Sequence, residues 1–178
     1  MSTSSAPAQL LLPDESATAR LGTLLAEALL AESASVEAQG FTVTLAGDLG
    51  AGKTTLVRAC LRRFGVTGPV KSPTFALLEP YVVSSLNFYH FDFYRFGSPD
   101  EFEDSGFREL FGPGAVCAIE WPERAAGHLP TPDLEATLKI EDEARRVALL
   151  ARTALGATCL QRVLTEWAGD REAGSAAA

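Results

Sequence analysis

A chain of 178 residues with 47% hydrophobic composition holds enough apolar material for one well-buried core and is too short for two domains of ordinary size. Its 15 Lys and Arg against 23 Asp and Glu leave a formal charge of −8, which repels a polyanion over most of the surface and excludes a broad nucleic-acid footprint. No apolar run approaches the roughly 20 residues of a membrane helix, Met1 to Ala8 lacks the charged and apolar regions of a secretory signal, and Cys60, Cys117 and Cys159 are odd in number and widely spaced; the expectation is a soluble cytoplasmic protein with core thiols.

The Ser- and Ala-rich ends, 1–10 and 169–178, offer too little apolar content to offset ordering and read as disordered tails around a single domain over 11–168. Between Ser16 and Glu32, Leu21, Leu24, Leu25, Ala28 and Leu29 recur at helical spacing behind Asp14 as N-cap. Phe41, Val43 and Leu45 alternate with threonines as in a strand, which runs into the glycine-rich stretch Gly47 to Gly52. Leu56, Val57, Cys60, Leu61 and Phe64 then mark one face of a helix that Gly65 terminates.

Two β-rich runs, Phe75 to Val83 and Leu86 to Asp92, flank Ser84 and Ser85 and predict an antiparallel hairpin. Ser98, Pro99 and Glu101 read as N-cap, first helical residue and capping-box partner of a short acidic helix. Ala115 to Ile119 is a continuous apolar run ending in Glu120, as in a strand buried on both faces. Leu134 to Ile140 and Val147 to Ala151 form a second hairpin, followed by a helix over about Leu155 to Trp167. Crossovers mixed with hairpins imply an α/β fold: a P-loop NTPase-like three-layer sandwich with a mixed central sheet and flanking helices.

The stretch Gly47-Asp48-Leu49-Gly50-Ala51-Gly52-Lys53-Thr54 fits G-x-x-x-x-G-K-[ST] at every fixed position, between a predicted strand and a predicted helix. Glycines let backbone N–H groups wrap a phosphate, and a helix start adds positive potential. The expected ligand is ATP or its product ADP; Lys53 would bridge the β- and γ-phosphates of the triphosphate, and Thr54 offers a hydroxyl to Mg²⁺, with Thr55 the weaker candidate. Two apolar strands end in a carboxylate, Asp92 and Glu120, and acids at such ends are where P-loop proteins hold the metal. Chemistry leaves open which is the nearer metal partner. His90, Tyr94 and Arg95 cluster about Asp92, either as strand-end residues with polar tips in solvent or as a functional surface; Arg58, Arg62, Arg63 and Lys71 read as a solvated face or a small docking patch.

The ordered set of this loop with Thr55, Ser72-Pro73-Thr74-Phe75, His90-Phe91-Asp92-Phe93-Tyr94-Arg95 and Ile119-Glu120-Trp121-Pro122-Glu123 resembles the TsaE (YjeE) family over about Leu12 to Ile140. The resemblance implies a P-loop ATPase required for threonylcarbamoyl modification of adenosine in tRNAs reading ANN codons. Its implied partners are the TsaB and TsaD proteins, with tRNA contact direct or through them and no membrane. By residue it implies ATP contacts along Leu49, Gly50, Ala51, Gly52, Lys53 and Thr54, Mg²⁺ at Thr54 and Glu120, and an acid essential to hydrolysis at Asp92. It further implies a switch-like loop at Ser72 to Phe75, with Thr74 sensing nucleotide state, and Trp121 beside the nucleotide. Competing readings are a small-molecule kinase, for which no arginine-rich lid is evident, and a GTP-driven switch, for which no Asn/Thr-Lys-x-Asp motif follows the loop.

Overall fold

The computed structural model describes residues 6–175. A seven-stranded mixed sheet runs through it in the order β1-β7-β6-β2-β5-β4-β3. In chain order its strands are β1 (Ala8–Leu12), β2 (Phe41–Ala46), β3 (Leu78–Val83), β4 (Leu86–Asp92), β5 (Ala115–Glu120), β6 (Leu134–Glu141) and β7 (Ala144–Ala151). The helices are α1 (Glu15–Ala31), α2 (Ser33–Gln39), α3 (Lys53–Arg63), α4 (Glu101–Asp104) and α5 (Ala154–Ser175), with 3-10 turns at Phe107–Leu110 and Pro122–Ala125.

Strands β4, β5, β2 and β6 are parallel, and antiparallel hairpins add β3 to β4 and β7 to β6 as expected. Strand alternation sends Val43, Leu45, Val116, Ala118, Leu134, Ala136 and Leu138 to one face, where the apolar stripes of α1, α3 and α5 cover them. On α5 that stripe is Leu155, Cys159, Val163 and Trp167, spaced at one turn each. The opposite face is covered over β4 and β5 by an aromatic cluster of Phe91, Phe93, Phe96 and Phe102, joined by Phe107 and Phe111 from the connecting turns. All three cysteines are buried and free.

The local signal holds at the start of α1. Asp14 Oδ1 accepts from the Ala17 amide at 2.8 Å, capping α1. The box expected at Ser98 forms only in part: Glu101 Oε1 accepts from the Ser98 amide at 3.0 Å, but Ser98 Oγ accepts from the Asp100 amide at 3.3 Å, and α4 starts at Glu101 behind Asp100 as N-cap, so Ser98 and Pro99 belong to the turn before the helix.

Three further expectations need correction, and one element was missed. Residues 8–10, read as tail, belong to β1, which pairs antiparallel with β7 and buries Leu12; an edge strand draws its stability from a partner distant in sequence. Helix α5 runs on to Ser175, past Trp167 and into the stretch expected to be a tail. The tail positions 1–5 and 176–178 lie outside the described residues. Strand β3 begins at Leu78 rather than Phe75, because Leu77 adopts φ 66° and donates its amide to Pro73 O at 2.6 Å, closing a turn. Helix α2 was not foreseen, since one buried anchor, Val36, makes no periodic pattern.

Candidate active site

Parallel pairing aligns the carboxyl ends of three strands. Leu45 of β2 stands opposite Glu120 of β5, and Glu120 opposite Asp92 of β4. The crevice beyond such ends is where open α/β sheets bind ligands. Here β2 runs into residues 47–52, and α3 starts at Lys53, so its first amides point into the crevice without intrahelical carbonyls to bond. Gly52 has φ 102° and Gly47 φ 142°, and a Cβ on Gly47 would lie 2.4 Å from the Leu138 carbonyl oxygen. The loop therefore requires glycine at both points, for backbone shape and for close approach to β6.

A cleft of about 250 Å³ opens there, lined by Leu49, Gly50, Ala51, Gly52, Lys53, Thr54, Thr55, Asp92, Glu120 and Trp121. Every residue singled out in the sequence for nucleotide, metal or catalysis borders it, together with Ser72, Thr74 and Tyr94. A larger hollow of about 530 Å³ lies on the sheet's other face over Thr44, Ala46, Thr137 and Arg152. It lacks a glycine-rich loop or a helix start, so the smaller cleft is the better anion site.

Lys53 is buried, and its Nζ donates to the carbonyls of Gly47 at 2.5 Å and Asp48 at 2.9 Å while lying 4.2 Å from the centre of the Trp121 ring. Burial lowers its pKa from the ordinary lysine value, and the carboxylates of Glu120, Asp92, Glu123 and Asp48 pull the other way. Nothing in the sequence gave Glu123 a role, because its influence on Lys53 acts through space. Trp121 adopts φ 58°, a left-handed conformation uncommon for a large residue, and packs on Tyr94 with ring centres 5.0 Å apart. Arg145 of β7 supports the loop from outside, its guanidinium donating to Gly50 O at 3.3 Å.

The two acids have different surroundings. Glu120 Oε1 accepts from the Thr54 hydroxyl at 2.8 Å and pairs with His90 Nε2 at 2.8 Å. Asp92 is bound to the loop before β3: its Oδ2 accepts from the hydroxyls of Ser72 and, at 3.2 Å, Thr74, and its Oδ1 accepts from the Tyr94 amide at 2.9 Å. Of the cluster around Asp92, His90 does not reach solvent: it is fully buried, whereas Tyr94 is partly exposed and the Arg95 guanidinium lies 4.1 Å over the exposed Phe75 ring. Arg58 and Arg62 donate to the carbonyls of Val70, Val66 and Gly68, and Arg63 pairs with Glu27 at 2.9 Å. Those arginines serve the protein's own loop and α1.

Among the described residues no group of three His, Cys, Asp or Glu side chains is arranged to hold a metal ion. The donors present fit Mg²⁺ all the same, since a hydroxyl and a single carboxylate beside a glycine-rich loop are the hard oxygen ligands it takes while keeping several waters. No helix among the described residues is long and apolar enough to cross a membrane.

The model of the family described as "Threonylcarbamoyl adenosine biosynthesis protein TsaE" matches residues 12–148. The chain is 43% identical over 145 residues to the tRNA threonylcarbamoyladenosine biosynthesis protein TsaE of Haemophilus influenzae, covering 82% of this chain and 90% of that protein. It is 39% identical over 113 residues to the Bacillus subtilis protein of the same description, covering 63% and 70%. The crystal structure of Bacillus subtilis YdiB superposes with a TM-score of 0.66 at 26% identity, covering 92% of this chain and 99% of that one. A family match across most of the domain, agreeing with the fold and with the site's loop, allows one conclusion: the chain belongs to the TsaE family of threonylcarbamoyl adenosine biosynthesis proteins.

Proposed function

We propose that this chain binds ATP with Mg²⁺ in the cleft and hydrolyses it, in the service of threonylcarbamoyl modification of adenosine in tRNAs reading ANN codons. The pathway comes from the family and from the names of its relatives. On this reading the protein works in the cytoplasm and regulates or resets the TsaB–TsaD complex, which carries the modification chemistry itself.

The observation that carries the ATPase reading is the hydrogen bond from Thr54 to Glu120 beside Lys53, at the first turn of a helix entered through a glycine loop. A threonine that gives its one proton to a carboxylate keeps its oxygen lone pairs for another partner. Thr54 and Glu120 would hold Mg²⁺, which supplies charge neutralisation to the phosphates. Lys53, released from the carbonyls of Gly47 and Asp48, would place its ammonium on the phosphate chain, where a half-dry site strengthens the attraction. Asp92 holds Ser72 and Thr74 at the cleft and so positions the loop that would line the path of the attacking water. Trp121 and Tyr94 pack on each other in the wall of the cleft, where they would flank a bound nucleotide.

The test measures nucleotide binding and steady-state phosphate release with ATP and GTP, with and without Mg²⁺, and with and without TsaB and TsaD. Expected are Mg²⁺-dependent ATP turnover and stimulation by the partners. Absence of Mg²⁺-dependent ATP hydrolysis in every mixture would remove the ATPase reading. Turnover that requires a small-molecule acceptor instead would make the protein a kinase.

A further inference from the structure

His90 sits on β4, between β5 and the edge strand β3, with no exposed surface, and its Nδ1 makes no hydrogen bond among the described residues. A buried polar atom without a partner disfavours folding, so packing alone does not account for histidine at this point. The same-face neighbour two residues earlier, Phe88, meets the core with an apolar ring instead. The other ring nitrogen has a specific task. Nε2 lies 2.8 Å from Oε1 of Glu120, and it carries the proton in that pairing because a carboxylate oxygen accepts.

Oε1 therefore receives two donors, His90 and the Thr54 hydroxyl, whereas Oε2 has no hydrogen-bond partner among the described residues. Two donors on one oxygen fix the carboxylate's rotation and leave the second oxygen to the cleft that Glu120 lines. The strand register makes this arrangement rigid. Glu120 stands opposite Asp92, two residues beyond His90 on the same face of β4, so His90 and Glu120 meet diagonally across one parallel pair.

We propose that His90 is a positioning residue for the Glu120 carboxylate: it holds Oε1 so that Oε2 is directed to the metal of a Mg²⁺–nucleotide complex. The inference rests on the nucleotide reading above. Partners behind a metal's ligands commonly change metal affinity by about 10- to 100-fold when removed, and His90 is such a partner by geometry.

The experiment compares wild type with His90→Leu, His90→Asn and His90→Gln. By bond count, a glutamine places its amide nitrogen where Nε2 stands and an asparagine reaches only as far as Nδ1, so only Gln keeps a donor for Oε1. Binding of a fluorescent ATP analogue is titrated with Mg²⁺, its metal-free affinity is measured in chelator, and thermal melting is recorded for each protein. Expected for Leu and Asn is a Mg²⁺ midpoint raised about tenfold or more, with metal-free affinity unchanged within about twofold, and for Gln a midpoint within about threefold of wild type. Superimposed titrations for wild type and Asn overturn the proposal, as does a Gln variant shifted as far as Asn. Should Leu melt far below wild type, the Asn and Gln pair carries the comparison by itself. Failure of all three to fold assigns His90 to structure and overturns the proposal too. A wild type that binds the analogue with no response to Mg²⁺ counts against the nucleotide–metal reading, a result separable from superimposed titrations in a responsive protein.

Discussion

Thr54 and Glu120 are 66 residues apart in the chain, yet the threonine hydroxyl donates to the glutamate carboxylate at 2.8 Å across the mouth of the glycine-rich loop. The contact joins the first turn of α3 to the end of β5. It makes a pair of oxygen donors from two groups that neither helix nor strand could assemble alone.

Glu120→Gln keeps the shape and the acceptor for Thr54 and removes the negative charge. The Mg²⁺ concentration for half-maximal nucleotide binding should rise by about tenfold, with thermal unfolding moved by only a few degrees. Mg²⁺ titrations followed by fluorescence or calorimetry decide it, and coincident curves would dismiss Glu120 as the metal partner.

Asp92→Asn should separate binding from turnover. Both Asp92 oxygens are already engaged by Ser72, Thr74 and the Tyr94 amide, so this acid serves the loop more than the metal. ATP affinity should stay within a few-fold while turnover falls at least about tenfold, equivalent to roughly 1.4 kcal/mol of transition-state stabilisation. Ser72→Ala should lower turnover in the same direction and less. Parallel loss of binding and turnover, with unchanged melting of the free protein, would make Asp92 a direct ligand instead.

Lys53→Ala removes the cation that Gly47, Asp48 and the Trp121 ring now hold in the cleft. Catalytic efficiency for ATP should fall by about 100-fold or more, the scale on which a preorganised donor to a developing charge acts. Steady-state hydrolysis at the wild-type rate would refute the phosphate-site assignment.

Burial pushes the thiols of Cys60, Cys117 and Cys159 up to about 12 from an ordinary value of 9.0. The folded protein therefore holds these protons more tightly than the unfolded chain. Stability from this source is complete below pH 9 and is lost as pH rises from 9 towards 12. Native protein at pH 8 should leave all three thiols unmodified by iodoacetamide over a time in which protein in denaturant reacts fully, as intact mass would report. Denaturant midpoints should decline above pH 9, and more shallowly in a triple Cys→Ala variant. Rapid alkylation of the folded protein would contradict the burial described for them.

The loop at Gly47 to Thr54 was legible because its determinants are contiguous: glycine spacing, a preceding strand and a following helix all lie within about twenty residues. The cap at Asp14 was legible for the same reason, as was the β3–β4 hairpin, whose turn is two residues long. What escaped was decided at a distance. The run Ala8 to Leu12 looks like the edge of a polar tail until β7 offers it five register partners, and the onset of β3 depends on a turn at Leu77 that no residue type there announces.

The candidate site divides along the same line. By itself the sequence determined a glycine loop, a lysine and a threonine at a helix start, and two apolar strands ending in acids, because each of these follows from neighbouring residues and strand or helix period. Only the tertiary structure decided that Glu120 joins Thr54 and His90 while Asp92 joins Ser72 and Thr74. It likewise decided that His90 is sealed from solvent and that Glu123 acts on Lys53. Strand alternation tells which face a residue occupies; what covers that face, and which acid stands opposite which hydroxyl, depends on strand order and register, and these are settled when distant segments pack.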